Sequence, residues 1–288
     1  MDNILSVQGL SKHFKGFSLT DVSFSLPKGY IMGFIGPNGA GKTTTIKLML
    51  NMLRRDAGSV SMLGMDSVAR ETDIKQRLGV VMDQAFYVGE WRLTDVEKAL
   101  KPFYTKWSGD TYANLLKRFD LDKAKKVKDL SRGMKMKLMI AAALSHQAEL
   151  LILDEPTSGL DAVVRDELMD ILLDFISDEN KGVLFSTHIT ADLEKIADYI
   201  TFISGGRVLM SDLKDDLMEK YLDVRGGLGT LNAEQRHALI GYKEHSVGFE
   251  GLVEKEKLAL LPKDVVVQPC TLDELVIRFN LEGKKHDA

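Results

Sequence analysis

A glycine-rich segment near the start of the chain has the residue types that hold phosphate groups in proteins. It fits the pattern G-x-x-x-x-G-K-[ST] at every position, with the residues Gly36, Pro37, Asn38, Gly39, Ala40, Gly41, Lys42 and Thr43. Glycines allow successive backbone N–H groups to approach anionic phosphate oxygens, whereas bulkier side chains would block that approach. The pattern therefore predicts a nucleotide site in which Lys42 reaches the β and γ phosphates and the Thr43 hydroxyl binds Mg²⁺.

The segments on either side of this loop fit a strand followed by a helix. Tyr30 to Ile35 is a compact apolar run, and a helix is expected from about Lys42 to Leu53, with its apolar residues on one face. The start of that helix would add the positive end of its dipole to the phosphate site. The alternative, a glycine-rich turn with a chance lysine, is disfavoured by this strand–loop–helix context. Thr44 and Thr45 can either bond further phosphate oxygens or simply pack.

Two carboxylates follow a second apolar strand. Leu150 to Leu153 is predicted to lie buried in a sheet, so that Asp154 and Glu155 emerge at its carboxyl end. Ligands of open α/β sheets bind at that edge. Asp154 is placed to hold Mg²⁺ directly or through water, and Glu155 to polarise an attacking water as general base. The alternative, two solvated acids in an ordinary loop, loses weight beside a complete phosphate-binding loop.

The chain as a whole alternates strands with helices, which indicates an α/β fold with a mostly parallel central sheet covered on both faces. Short strands before residue 36 predict an antiparallel β subdomain, and the region from about 85 to 147 is predicted to be mainly helical. A Gly-Gly pair at 205–206 and a charged stretch at 212–220 indicate a domain boundary. We therefore expect one domain over 1–212 and a small mixed α/β accessory domain over 213–288, with a strand at 265–267 and a short helix after Thr271.

The bulk composition bounds the class of protein. The 288 residues are 44% hydrophobic and 28% charged, which suffices for one large domain plus a small addition. The net charge of −4 gives no sign of nucleic-acid binding. Cys270 is the single cysteine, so no internal disulfide can form, which fits a reducing cytosol. The N-terminus lacks a signal-peptide pattern, and no apolar run approaches the roughly 18 residues of a membrane span, so work on a membrane would need a partner.

Four further segments resemble motifs of the ABC ATPase family, a group of P-loop NTPases. Leu130-Ser131-Arg132-Gly133-Met134 lies where the family has its LSGGQ signature, and Ser158-Gly159-Leu160-Asp161 is similar to its D-loop. His188 resembles the switch histidine and Gln84 the Q-loop glutamine of the family. All occur in the family's order, and the resemblance covers roughly residues 4 to 210. It implies a nucleotide-binding, ATP-hydrolysing domain that uses ATP and Mg²⁺.

The resemblance also implies how two such domains work together. In the family they pair head to tail, and each ATP lies between one P-loop and the other subunit's signature helix. Ser131 and Gly133 would contact the γ-phosphate of the opposite nucleotide, which suits a serine that caps a helix N-terminus. His188 would bond the γ-phosphate, Gln84 would touch Mg²⁺ or the attacking water, and Asp161 would cross the dimer interface. The partner ATPase could be a second copy of the chain or a paralogue.

Some positions depart from the family pattern. Phe14 occupies roughly the position of the aromatic residue that stacks on adenine, although the loop after it is about one residue short. The signature has Arg132 where glycine is usual and Met134 where glutamine is usual. Gly159 stands where alanine is common in the D-loop, a change expected to be minor. Ser131 and Gly133 are present, so contact with a γ-phosphate is still expected.

Three functions are compatible with such an ATPase. The first is the energy-supplying subunit of an exporter whose permease is a separate chain, because the segments LSRGMK and STHIT resemble ATPase subunits encoded apart from permeases that export peptides, antibiotics or lipid-linked compounds. The second is an ABC ATPase acting on ribosomes or DNA; a single P-loop and the lack of sustained heptads weigh against it. The third is an import ATPase, which the lack of a long regulatory domain mildly disfavours.

The exporter hypothesis predicts a location and an interface. The chain would be cytoplasmic and peripheral on the inner face of the cell membrane, bound to an integral membrane permease. Six aromatic residues between 85 and 108 could line the groove that receives the permease's coupling helices, or form the core of a small helical subdomain; they are Phe86, Tyr87, Trp91, Phe103, Tyr104 and Trp107. The cargo cannot be predicted, since the membrane subunit mainly selects it.

Overall fold

A computed structural model describes residues 2–286 of the chain. Its strands are β1 (Asn3–Phe14), β2 (Phe17–Pro27), β3 (Ile31–Ile35), β4 (Ala57–Met62), β5 (Met65–Asp66), β6 (Leu78–Val81), β7 (Leu150–Asp154), β8 (Gly182–Thr187), β9 (Tyr199–Ser204), β10 (Arg207–Leu213), β11 (Tyr221–Gly226), β12 (Ile240–His245), β13 (Gly248–Glu254) and β14 (Val266–Pro269). Its α-helices are α1 (Lys42–Met49), α2 (Glu71–Gln76), α3 (Leu93–Leu100), α4 (Gly109–Arg118), α5 (Arg132–Leu144), α6 (Ala162–Ile176), α7 (Thr190–Ile196), α8 (Lys214–Lys220), α9 (Ala233–His237) and α10 (Leu272–His286). Within this part of the chain, no helix has both the length and the apolar character to span a bilayer.

The central sheet has six strands in the order β10-β9-β3-β8-β7-β6. Its strands run parallel except for β10, which pairs antiparallel with β9. The inner strands β3, β7 and β8 are buried along their whole length, as expected of strands covered on both faces. The carboxyl ends of β3, β7 and β8 therefore meet at one edge of the sheet, where α/β proteins bind ligands. The predicted mostly parallel α/β architecture is confirmed.

A second, antiparallel sheet in the order β2-β1-β4-β5 packs on this central sheet. Residues of both sheets and of helix α1 share one apolar core. Ile4, Leu26 and Phe34 belong to the apolar core that the two sheets share. Gly206 is required here, because its φ is +74° and a Cβ on it would lie 2.0 Å from the carbonyl oxygen of Ser18. This close approach joins the β9–β10 turn to β2. The antiparallel sheet itself confirms the predicted antiparallel β subdomain.

The predicted helical region consists of α3, α4 and α5, with a 3₁₀ turn at Lys101–Phe103 that contains Pro102. Ser131 is the N-cap of α5, and its hydroxyl accepts a bond from the Met134 backbone N–H at 3.2 Å. Tyr112 is buried among these helices and donates from its hydroxyl to the Leu93 carbonyl at 3.0 Å. Aromatic residues of the region thus do contribute to a helical core, one of the two roles expected from the sequence.

The C-terminal part of the chain forms a four-stranded antiparallel sheet in the order β12-β13-β11-β14, together with α10. Val224, Phe249 and Val253 form a small core of their own. Tyr221 and Leu275 nevertheless belong to the large core of the ATPase region, so the two parts share buried apolar surface. The helix after Thr271 is fifteen residues long rather than short, because it lies across both parts. The division at residue 212 stays a prediction.

Candidate nucleotide-binding and catalytic site

The glycine-rich loop joins β3 to α1 with the backbone shape that a phosphate cradle requires. Gly39 and Gly41 have φ of +82° and +112°, values that side-chain-bearing residues rarely adopt. A Cβ on Gly36 would lie 2.2 Å from the carbonyl oxygen of Ile203, so only glycine fits there. The loop therefore leads the chain into α1 with its backbone N–H groups at the helix N-terminus, where anions bind.

Lys42, the first residue of α1, is held in place by a bond to the phosphate-binding loop. It is 6% exposed, and its Nζ donates to the carbonyl oxygen of Gly36 at 2.6 Å. The same nitrogen lies 3.2 Å from the Glu155 Oε1 atom. A buried ammonium needs such partners because burial without them is costly. The Lys42 ammonium therefore lies at the open end of the loop, where phosphate oxygens could replace the oxygens of Gly36 and Glu155 as its partners.

Asp154 lies at the end of β7 beside the first helical turn of α1. Thr43 donates from its Oγ1 atom to Asp154 Oδ2 at 2.7 Å, and Ser186 donates to Oδ1 at 3.0 Å. The carboxylate is fully buried, and this burial raises its pKa, whereas the two hydroxyl bonds lower it. An oxygen-only set of a carboxylate and a threonine hydroxyl has the hard-donor chemistry that suits Mg²⁺.

The raised pKa of Asp154 predicts that this residue reduces the stability of the ligand-free protein. Above the unfolded-state pKa, the folded chain must either hold a buried charge or bind a proton that the unfolded chain has lost, so the carboxyl penalises the folded state. We expect Asp154→Asn to raise the melting temperature of the ligand-free protein by a few degrees while abolishing ATP hydrolysis. The gain over wild type should shrink as the pH falls through the folded-state pKa, because the wild-type carboxyl then becomes neutral. A melting temperature below that of Asp170→Asn, an exposed control, would contradict this reading.

Glu155 has an unusual backbone conformation and two side-chain partners. Its φ is +52°, which costs a residue with a Cβ about 1–2 kcal/mol. Oε2 lies 2.8 Å from the Nδ1 atom of His188, and Oε1 faces Lys42. The strained turn after β7 thus aims the carboxylate across the carboxyl edge of the sheet, towards the loop residues and the histidine that follows β8.

These side chains line an open cleft of about 350 Å³. Of the described residues, those that line it are Phe17, Pro37, Asn38, Gly39, Gly41, Lys42, Thr43, Thr44, Asp83, Arg132, Glu155, Ser158 and His188. The structure thus brings most of the predicted phosphate loop, the predicted general base and the predicted switch histidine into one site. Gly36 and Asp154 lie directly behind it, through their bonds to Lys42 and Thr43.

Other predicted residues lie at the margin of the cleft or inside the protein. Thr45 is fully buried and donates to the Gly41 carbonyl at 2.9 Å, so it packs, as one of its two expected roles allowed. Ala40 is buried and Asp161 caps α6 by accepting the backbone N–H groups of residues 163 and 164. Ser131 and Gly133 lie outside the lining, where a second subunit would have to meet them.

Two predicted contacts differ from the geometry of the described chain. Of the neighbours Asp83 and Gln84, both exposed, Asp83 lines the cleft and Gln84 does not. Phe14 is 41% exposed and stands outside the lining, whereas Phe17 lines the cleft and stacks on Phe14 with ring centroids 6.4 Å apart. The adenine platform can therefore involve the pair rather than Phe14 alone. A Phe-x-x-Phe spacing across the β1–β2 turn is the sequence signal for the second ring.

Sequence patterns also did not predict a contact between Arg132 and the D-loop. The Arg132 side chain lies over Gly159, where a Cβ would be 3.1 Å from Nη1. Gly159 has a φ of +73°, which favours glycine. Two departures from the family pattern thus touch each other, since an alanine at 159 would crowd the arginine. The glycine leaves room for Arg132 at the edge of the cleft.

This contact predicts that Gly159→Ala impairs the enzyme. We expect a strain of about 1–2 kcal/mol in the D-loop from the left-handed backbone alone, plus displacement of Arg132, and hence a lower kcat. Arg132→Gly should relieve the second effect, so the double variant should be less impaired than the product of the single variants. Gly64→Ala is the matched control, since Gly64 has a φ of +74° with no atom within 4 Å of its Cβ position. If Gly159→Ala lowers kcat by the same factor in the wild type and in Arg132→Gly, the coupling between the two residues is contradicted.

Comparison with known proteins indicates the family of the chain. Residues 19–158 match the family model described as ABC transporter. The chain is 28% identical to the ABC transporter ATP-binding protein YtrB of Bacillus subtilis (strain 168) over 229 residues, which cover 79% of this chain and 78% of that one. It is 33% identical to the lantibiotic transport ATP-binding protein SrtF of Streptococcus pyogenes over 210 residues, covering 72% and 90%.

A solved structure agrees in fold. The structure described as the ATP binding subunit of an ABC transporter superposes with a TM-score of 0.68 and 28% identity, over 74% of this chain and 91% of that one. The matched family region contains the phosphate loop, the acidic strand and the signature helix described above. With this shared fold and its cleft at the carboxyl edge of the sheet, the chain belongs to the ABC transporter family, as an ATP-binding domain that hydrolyses ATP.

Proposed function

We propose that this chain supplies the energy for export of a substrate through a separately encoded membrane permease. The observation that carries the proposal is an open apolar groove between the central sheet and the helical region. It has a volume of about 330 Å³ and is lined by Leu50, Met52, Lys75, Leu78, Val80, Tyr87, Leu100, Tyr104, Met139, Ala142, Ala143 and His146. A groove of this character suits a short amphipathic helix of a partner protein.

The surroundings of the groove support an interface. Phe86 and Phe103, near the lining residues Tyr87 and Tyr104 in the chain, are 75% and 72% exposed, a large apolar area for side chains of this size. Inside the groove, Tyr104 stacks on His146 with ring centroids 4.0 Å apart. Aromatic residues of this kind are common anchors of protein interfaces. The groove adjoins β6, which leads directly to Asp83 in the nucleotide cleft, so a partner seated there would lie close to the ATP site.

The mechanism assigns each part of the cleft a task. The loop N–H groups and Lys42 bind the phosphates, and Thr43 and Asp154 would hold Mg²⁺, which neutralises phosphate charge when it is bound. Glu155 accepts a proton from the attacking water, and His188 stands beside the same carboxylate to bond the γ-phosphate.

Nucleotide binding would rearrange the contacts of Lys42. The Lys42 ammonium lies 3.2 Å from the Glu155 carboxylate. Phosphate oxygens would replace that carboxylate, so that Glu155 becomes available to the water. A second ATPase subunit, identical or paralogous, would then close the cleft with Ser131 and Gly133. Closure moves the groove and hence the permease, and hydrolysis resets both.

The proposal extends to the class of cargo and to the location of the chain. SrtF is named for lantibiotic transport, which favours a peptide or antibiotic as the substrate class here. Bound to a permease by the groove, the chain would lie on the inner face of the cell membrane, where ATP is available. Export rather than import rests on the resemblance of the segments LSRGMK and STHIT to the ATPase subunits of exporters.

Inside-out membrane vesicles that carry the chain and its permease provide that test. The vesicles are incubated with ATP and an extract of cytosolic peptides and small molecules, and the lumen is analysed by mass spectrometry. We expect at least one compound to accumulate in the lumen with wild-type protein and not with Glu155→Gln. ATP-dependent loss of a compound from preloaded vesicles would instead show import and overturn the proposal.

A further inference from the structure

The C-terminal helix α10 is bonded to the short helix that follows His188. Thr190, the first residue of α7, donates from its hydroxyl to the Asp273 carboxylate in the first turn of α10. The backbone N–H of Leu272 donates to the Glu194 carboxylate one turn further along α7, at 3.3 Å. Thr190 is 7% exposed, so the first of these contacts lies largely out of water. The two helices are thus joined at the end of α7 that is nearest to the catalytic cleft.

Helix α7 needs such support because it is short and has no cap of its own. It has seven residues, fewer than an isolated helix needs for stability in water, and its N-cap residue Ile189 offers no side-chain bond. Its other supports lie further along the helix, where Asp192 faces Arg165 at 3.6 Å and Lys195 faces Asp166 at 3.2 Å. Among the described side-chain contacts of α7 itself, the Asp273 contact is thus the one nearest in the chain to His188, which lies two residues before Thr190.

The first turn of α10 is in turn fixed to the C-terminal sheet. Glu274 accepts a bond from Arg225 of β11 at 2.8 Å and another from the backbone N–H of Thr271 at 2.8 Å. Further along, Phe279 meets Tyr221 edge to face, with ring centroids 5.2 Å apart. Any shift of the C-terminal sheet relative to the ATPase region would therefore move the Asp273 carboxylate. The contacts run without a break from β11 through α10 to α7 and His188.

We propose that the C-terminal part of the chain sets the position of His188 through the bond between Asp273 and Thr190. Asp273 is thus a positioning residue for ATP hydrolysis, and a shift of the C-terminal sheet can raise or lower the rate of turnover. The inference rests on the proposed role of His188 at the γ-phosphate. A histidine displaced by a fraction of an ångström loses the geometry on which phosphoryl transfer depends, so the effect falls on kcat rather than on ATP binding.

Purified full-length variants test this positioning role. We expect Asp273→Ala to lower kcat about tenfold and to leave the KM for ATP within about twofold. Thr190→Val should have the same effect, and the double variant should be no worse than either, because all three lose one bond. Asp273→Asn, which keeps an acceptor oxygen, should recover most of the rate. Asn280→Ala is the matched control: it removes a 2.9 Å bond between α10 and Ser204, on β9 and away from His188.

Two further measurements separate the possible failures. Wild-type kcat in His188→Ala would overturn the role of His188, and with it this inference. If His188→Ala is inactive but Asp273→Ala matches Asn280→Ala in kcat, the positioning role alone is wrong. The ¹⁵N resonances of the His188 ring, identified by their loss in His188→Ala, give a readout independent of activity. They should shift in Asp273→Ala and Thr190→Val and stay unchanged in Asn280→Ala; unchanged resonances in all three would overturn the inference.

Discussion

Glu155→Gln is expected to lower kcat by about 10²–10⁴-fold, the usual contribution of a general base, while ATP binding is retained. The amide has nearly the shape of the carboxylate but cannot accept a proton from the attacking water. It also removes the charge that faces Lys42 at 3.2 Å, so phosphates no longer compete with a carboxylate for that ammonium. The variant should therefore bind ATP at least as tightly as wild type and accumulate as a closed dimer.

Two measurements check this expectation. Phosphate release gives kcat, and light scattering with ATP and Mg²⁺ gives the molar mass, which should double for Glu155→Gln and fall back when ATP is removed. Glu179→Gln is the control, since it makes the same chemical change at an exposed residue after α6. Wild-type turnover of Glu155→Gln would remove the residue from catalysis and leave the strained backbone at its position without a function.

Lys42→Ala is expected to weaken ATP binding by at least about 100-fold, as loss of charge-assisted bonds to two phosphates implies. The change removes the one cationic side chain among the residues of the phosphate-binding loop. It also leaves Glu155 without its cation, so the cleft becomes more negative and repels the nucleotide further. Hydrolysis at ordinary ATP concentrations should then be undetectable, although the fold is kept.

Titration with a fluorescent ATP analogue measures this loss directly. Lys47→Ala is the matched control, because Lys47 lies on the same helix α1 and outside the cleft lining. The control should bind the analogue with wild-type affinity. Undiminished binding by Lys42→Ala would show that the loop is not the phosphate site, and the remaining assignments of the cleft would lose their basis.

The parts of the site that were predictable from sequence are those in which neighbours in the chain are neighbours in space. The phosphate loop is one continuous segment, and its chemistry demands glycines at fixed spacing, as the φ angles of Gly39 and Gly41 bear out. The acidic pair after β7 follows from the rule that ligands meet parallel strands at their carboxyl ends. The same rule brings His188, at the end of β8, to within 2.8 Å of Glu155.

Other parts depend on contacts between distant segments that no local pattern encodes. The packing of Arg132 over Gly159 requires the signature helix and the D-loop to meet, and neither residue by itself indicates that contact. Phe17 faces the cleft because the β1–β2 turn directs it there, whereas the resemblance to the family favoured Phe14. Whether Asp83 or Gln84 faces the nucleotide depends on one turn of the chain after β6, a detail below the precision of sequence patterns.

The C-terminal region was the hardest to predict for a physical reason. Its strands were short and mixed in composition, so periodicity predicted one of the four strands of its sheet. The length of α10 is determined by its packing on β12, α7 and β9, and not by a local stop signal. Its contact with Thr190 joins residues 83 positions apart and could only be found in the folded chain.

Recovery of a permease with the tagged chain from gently solubilised native membranes tests the central claim most directly. The wild-type chain should co-purify with a multi-spanning membrane protein in equal amounts. Met52→Arg, which places a charge in the groove at a side chain 53% exposed, should lose that protein and keep ATP binding. Leu173→Arg, at a 45% exposed position on α6 outside the groove lining, should retain it. Recovery of ribosomes or DNA with the wild-type chain, and of no membrane protein, would contradict the account.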